Sequence, residues 1–125
     1  MTYNANIMNN YNQLNLGVDD PAKLVLMMYE GALRFASFVK KAIKEKNIEK
    51  KVKFINKTSD IFVELINILD FEKGGQIAYY LNGLYAYQLE LLAKANAEDN
   101  VDHIDQVINV LKELIVAWKE ETGIN

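Results

Sequence analysis

The 125-residue sequence has no cysteine, one histidine, one proline and six glycines. The missing thiols exclude disulfides, cysteine nucleophiles, Cys-based zinc sites and iron–sulfur clusters. A lone imidazole makes the common metal sites hard to build, because they take two or three. Two serines are present, Ser37 and Ser59, but no Gly-x-Ser-x-Gly elbow and no glycine-rich loop suited to phosphate. Long apolar runs are missing as well. The nearest candidate, residues 74–89, is interrupted by Gln76, Asn82 and Gln88, short of the ~18 consecutive apolar residues of a membrane-spanning helix. Residues 1–17 have no basic start, apolar core or cleavage-site pattern of a secretory signal, so the expected location is the cytoplasm.

What is there is apolar surface. Half of the residues are hydrophobic, a quarter are charged, and the net charge is −3. That suits one domain of roughly 100–150 residues with a real core, and it demands no nucleic-acid partner. Punctuation divides the chain into an N-terminal arm, residues 1–18, and a bundle, residues 19–125. The arm is uncharged and holds six asparagines, which disfavour helix by competing for the backbone. Yet Tyr3, Ile7, Tyr11, Leu14 and Val18 recur at helical spacing. Weak propensity with a good apolar stripe predicts a segment that becomes helical when docked.

Four helices follow. Asp20-Pro21 reads as a start, with Asp capping free amides and Pro at the first helical position. Leu24, Met27, Met28, Gly31, Phe35, Phe38, Val39 and Ala42 keep a 3.6-residue period to about Lys46. The second helix places Ile48, Val52, Ile55, Phe62, Leu65, Ile66 and Leu69 on one face, with Lys50, Lys51, Lys53 and Lys57 opposite. Gly74-Gly75 reads as its closing turn, the third helix spans about Gln76 to Ala95, and the fourth carries Ile104 to Trp118 before Gly123. Short connections make neighbours antiparallel, so the fold class is all-α, an up-down four-helix bundle with an N-terminal amphipathic arm.

Candidate chemistry is thin. Di-iron bundles need inward carboxylates and two Glu-x-x-His motifs, whereas this chain has only His103, three residues after Asn100. Asp99 and His103 read as a surface pair, and Asp60 with Glu64 as a solvated edge. No catalytic, cofactor-binding or metal residue is assigned, and no cofactor is expected. Residues 40–57 hold eight lysines against two acids, and residues 60–125 hold four lysines against twelve acids. The lysine patch lacks arginine, the preferred bidentate reader of phosphate, and its aromatics are expected elsewhere. It therefore reads as a solvated face, with neither nucleic acid nor membrane insertion expected.

The third helix is the informative one. From Ile77 to Ala95, fourteen of nineteen residues are Ala, Ile, Leu or Tyr. One stripe, Ile77, Leu81, Leu84, Tyr85, Gln88, Leu92 and Ala95, suffices for a bundle. Tyr79, Tyr80, Ala86, Tyr87, Leu89 and Leu91 then fall on other faces. A helix apolar nearly all round is covered on more than one side, by the arm, another subunit or a partner. Tyrosine suits such a surface, offering large contact area with a polar tip. The expected partner-binding residues are therefore Tyr3, Ile7, Tyr11 and Leu14 of the arm and Tyr79, Tyr80 and Tyr87 of the third helix.

Ordered motifs along nearly the whole chain resemble the bacterial flagellin-export chaperone family, FliS. They are Asp20-Pro21-Ala22-Lys23-Leu24, Met28-Tyr29-Glu30-Gly31-Ala32, Glu64-Leu65, Leu69-Asp70-x-Glu72-x-Gly74-Gly75, Leu81-x-x-Leu84-Tyr85, Ala95-Asn96 and Ala117-Trp118. Tyr11, Pro21, Leu24, Tyr29, Leu84, Tyr85 and Trp118 match family positions. The resemblance implies a small helical bundle that binds the disordered C-terminal region of flagellin in the cytoplasm, prevents premature polymerisation and aids delivery to the type III export apparatus. It also implies an arm that covers part of the client surface when flagellin is absent, and it leaves room for other flagellar export or regulatory partners. Met8 stands where members often carry tyrosine, and Asp20 where they carry Ser or Thr. The alternative reading is a helical-bundle oligomeric adaptor without a flagellin client, and the residues leave monomer and homodimer both open.

Overall fold

The structure, a computed structural model, describes residues 20–124. The arm stripe of Tyr3, Ile7, Tyr11 and Leu14 therefore lies outside the described residues. Four helices follow one another: α1 (Pro21–Lys44), α2 (Ile48–Asn67), α3 (Phe71–Glu98) and α4 (Val101–Thr122). Each packs on its neighbour in sequence, and α1 closes on α4, which gives the expected antiparallel bundle with α1 and α3 on one diagonal.

Short polar side chains start every helix. Asp20 accepts from the Ala22 amide at 2.9 Å, with Pro21 behind it. Asn47 accepts from Lys50, Asp70 from Glu72 and Lys73, and Asn100 from Asp102. Each satisfies amides that have no partner within the helix. Lys46, Asp99 and Gly123 take left-handed conformations, with φ of 56°, 53° and 73°, and so turn the chain out of α1, α3 and α4.

The core comes from one stripe per helix. Leu24, Met28, Tyr29, Ala32, Ala36 and Val39 of α1 meet Ile55, Phe62 and Leu65 of α2, with Tyr85, Leu91, Leu92 and Ala95 of α3 and Ile104, Val107 and Leu111 of α4. Across the diagonal, the Tyr29 and Tyr85 hydroxyls share a buried hydrogen bond of 2.6 Å. The Trp118 indole packs edge-on to Tyr29 and donates from Nε1 to the Ala22 carbonyl at 2.8 Å, fastening the end of α4 to the first turn of α1.

Several boundaries and faces differ from the periodicity reading. The second helix ends at Asn67, because Asp70 caps a new start at Phe71. Gly74-Gly75 is a kink inside α3 rather than a terminal turn, with Gly75 at φ 51° and ψ −130°, a conformation that glycine tolerates. Ile48 and Val52 are exposed whereas Lys51 is buried. The reason is electrostatic. The Lys51 ammonium donates to the Asn96 carbonyl at 3.0 Å and to Asp99 Oδ1 at 2.6 Å, capping the negative end of α3. Asp99 is thereby spent on Lys51, and His103 pairs instead with Glu98 at 3.1 Å, half-buried rather than freely solvated.

Candidate interaction surface

The kink in α3 shapes an apolar cleft at one end of the bundle. At this end α1 and α3 begin and α2 and α4 finish. After Asp70 caps the chain, the first turn of α3 splays at Gly75, and the helix proper then runs from Gln76. The space left between α2 and α3 is a cleft of about 310 Å³, lined by Val25, Tyr29, Leu65, Ile68, Leu69, Ala78, Leu81, Tyr85 and Trp118. Asp70 and Lys73 are the charged groups at its wall. Tyr29 and Tyr85 are almost fully buried, so their hydrogen-bonded pair forms the floor. Burial pushes both phenols above the ordinary tyrosine range, and for Tyr85 the neighbouring Tyr29 adds to the rise. The floor is therefore uncharged, as an apolar ligand requires.

One rim of the cleft continues onto an exposed face of α3. Ile77 lines the cleft yet is 70% exposed, and Tyr79 and Tyr80 are each 67% exposed. Phe71, also exposed, stacks obliquely on Tyr79 with ring centroids 4.7 Å apart. Tyr87, about two turns further along, is 47% exposed. Large apolar side chains gathered like this on one face mark an interaction surface more often than chance scatter does. The arrangement offers apolar burial and a few tyrosine hydroxyls, with Asp70 and Lys73 at the wall.

The three α3 tyrosines singled out from sequence are thus on the surface, Tyr79 and Tyr80 near the cleft and Tyr87 further down the helix. Sequence reasoning missed the cleft itself. It assigned Ile77 to the core stripe, and it treated Leu65, Leu69 and Leu81 as ordinary core. The available signal was Asp70 ahead of Glu72, an N-cap with an acid in the first turn, which moves the helix start to Phe71, ahead of the glycine pair.

The lysine-rich stretch also differs from expectation, because aromatics are present there. Phe35 and Phe38 of α1 meet Phe54 of α2 with centroids 5.9 and 4.9 Å apart. No cluster of three or more His, Asp or Glu side chains suited to a metal ion occurs among the described residues. No helix among them is long and apolar enough to cross a membrane.

Comparison with known proteins matches residues 4–123 to the family model of the flagellar protein FliS. A flagellar secretion chaperone FliS of Campylobacter jejuni is 51% identical over 120 residues, covering 96% of this chain and 90% of the relative. The chaperone of that name in Vibrio cholerae is 31% identical over 105 residues, covering 84% and 77%. The Bacillus subtilis one is 26% identical over 110 residues, covering 88% and 81%.

Proposed function

The chain belongs to the FliS family of flagellar proteins, and we propose that, as a flagellar export chaperone, it holds the disordered C-terminal segment of flagellin in the cytoplasm. The observation that carries this reading is the apolar cleft between α2 and α3, open at the side of a helix whose exposed face is rich in tyrosine. An amphipathic client segment would lay apolar side chains into the cleft and along Ile77, Tyr79 and Tyr80. Covering those client faces keeps them from pairing with other flagellin molecules before export. The mechanism needs no cofactor and no bond-making step. Its driving force is apolar burial, opposed by the entropy of ordering the client.

The N-terminal arm fits the same scheme as a competitor. Asp20 leads into α1 at the cleft's end of the bundle, and Val25, one turn in, is already a cleft residue. A stripe of Tyr3, Ile7, Tyr11 and Leu14 on a poor helix former would cover the cleft weakly, so that a client displaces it. Export and regulatory proteins would meet the client-loaded bundle on other faces.

Calorimetric titration with a flagellin C-terminal segment tests the reading. A one-to-one complex with a negative heat-capacity change is expected. Absence of binding by folded protein would sink it. Light scattering over a range of concentrations separates this chaperone from an oligomeric adaptor, for which the tyrosine face would bury itself in a second copy. Removal of residues 1–16 should leave the bundle's helicity intact and client affinity equal or higher. A clear loss would make the arm a contact rather than a competitor.

A further inference from the structure

The outer seam between α1 and α2 shares no residue with the cleft, and its composition is unlike that of a solvated lysine face. Phe35, Phe38 and Phe54 form one cluster there, and Phe38 is 40% exposed. Three cations sit over its rings: Arg34 and Lys57 on Phe35 at 5.5 and 5.4 Å, and Lys53 on Phe54 at 5.3 Å. Lys40 and Lys51 are held by Asp105 and Asp99 of the acidic half. Lys41, Lys44, Lys46, Lys50, Lys53 and Lys57 form no carboxylate pair among the described residues. Helical spacing puts Arg34, Phe38 and Lys41 on one face of α1, and Lys50, Lys53 and Lys57 on one face of α2. The acids nearest in sequence are Glu30, one turn before Arg34, Glu45 and Glu49 at the hairpin, and Asp60 beyond Lys57.

We infer that this seam is a docking surface for a short acidic segment of another protein that carries an apolar anchor residue. Six unpaired ammonium groups and one guanidinium call for carboxylates, and the exposed edge of Phe38 gives an apolar side chain something to cover. Nucleic acid fits less well. Stacking bases need free ring faces, and here cations already occupy those of Phe35 and Phe54. The cations are nearly all lysine, which lacks the planar fork that reads phosphate bidentately. The acidic half of the molecule repels a long polyanion, whereas a short acidic peptide stays within reach of the lysines alone. The aromatic cluster and the charges thus act together, the rings holding the cations in place and the cations steering the acidic segment.

The test uses the full chain and a fluorescein-labelled synthetic helix rich in glutamate with two leucines one turn apart. A second peptide replaces both leucines with glutamine, and oligothymidylate and phosphatidylserine vesicles serve as the other probes. Fluorescence anisotropy should show saturable binding of the leucine peptide, about tenfold weaker for Lys50→Glu/Lys53→Glu. For Phe38→Ala or for the glutamine peptide, the loss should be roughly three- to tenfold. All three substituted side chains are exposed, so circular dichroism should be unchanged. Were Phe38→Ala to unfold, the lysine double variant decides alone. Binding of the flagellin segment should be the same in these variants as in the parent. Equal affinity of the parent and the lysine variant for the leucine peptide overturns the proposal, as does equal affinity for the two peptides. Tighter binding of the oligonucleotide or the vesicles overturns it too, as does self-association that the lysine variant abolishes.

Discussion

Replacing either floor tyrosine by phenylalanine tests the physical account of the core most closely. Tyr29 and Tyr85 stand on opposite corners of the bundle, and their hydroxyls meet at 2.6 Å where each side chain is almost fully buried. Tyr85→Phe removes one hydroxyl and leaves the other without its partner. An orphaned buried hydroxyl costs about 1–3 kcal/mol, whereas removing both partners is close to neutral. Each single variant should therefore lose about 1–3 kcal/mol, and Tyr29→Phe/Tyr85→Phe far less than the sum. For a domain of this size that corresponds to a Tm lower by roughly 3–12 °C for a single variant. Guanidinium unfolding followed by circular dichroism, with m unchanged, measures the cycle. Single variants as stable as the parent, with additive effects, would mean instead that the hydroxyls are not a coupled buried pair and that water reaches them through the cleft.

The same pair fixes a pH dependence. Burial raises both phenols above their value in the unfolded chain, which lies near 10. Above about pH 10 the unfolded state releases protons that the folded state keeps, so stability falls as pH rises. Below that pH the contribution is fully present. The slope is about 1.4 kcal/mol per pH unit for each tyrosine that stays neutral in the fold. The double phenylalanine variant should lose less stability between pH 9 and 11.

Further substitutions separate structural from surface roles. Lys51→Met should cost about 1–2 kcal/mol, because the Asn96 carbonyl loses its donor and the exposed Asp99 returns to water. Lys53→Met, on the surface, should stay within about 0.5 kcal/mol by the same unfolding assay. Gly75→Ala should destabilise by about 1–3 kcal/mol, since φ 51° with ψ −130° is a glycine conformation. Gly83→Ala should do the reverse, gaining about 0.5–1 kcal/mol, because a Cβ there meets nothing within 4 Å on a regular helix.

The four helices and their order were legible in the sequence because caps and the 3.6-residue period agree along most of the chain. Asp20-Pro21, Asn47 and Gly123 fall where the structure turns. The failures share one cause, in that periodicity sees one helix at a time. It put Lys51 on a solvated face because the carbonyl and carboxylate that hold it belong to α3 and its C-cap. It put Phe38 in the core because the partner that draws it outward, Phe54, lies on α2. Gly74-Gly75 was read as a terminus because a glycine kink and a glycine turn look alike without the preceding cap at Asp70. Of the candidate site, the tyrosine excess on α3 was visible as surplus apolar surface. The cleft was not, since it exists only where four helix ends come together.

In the proposed complex the cleft and the adjoining face of α3 receive flagellin's C-terminal segment. Ile77 is the residue to change, because it lines the cleft yet is largely exposed, so Ile77→Lys should leave the bundle folded. Calorimetric titration of the segment into the parent and into this variant is the direct measurement. Affinity should be lower by about tenfold or more in a variant with unchanged helicity. Equal affinity in the two proteins would contradict it.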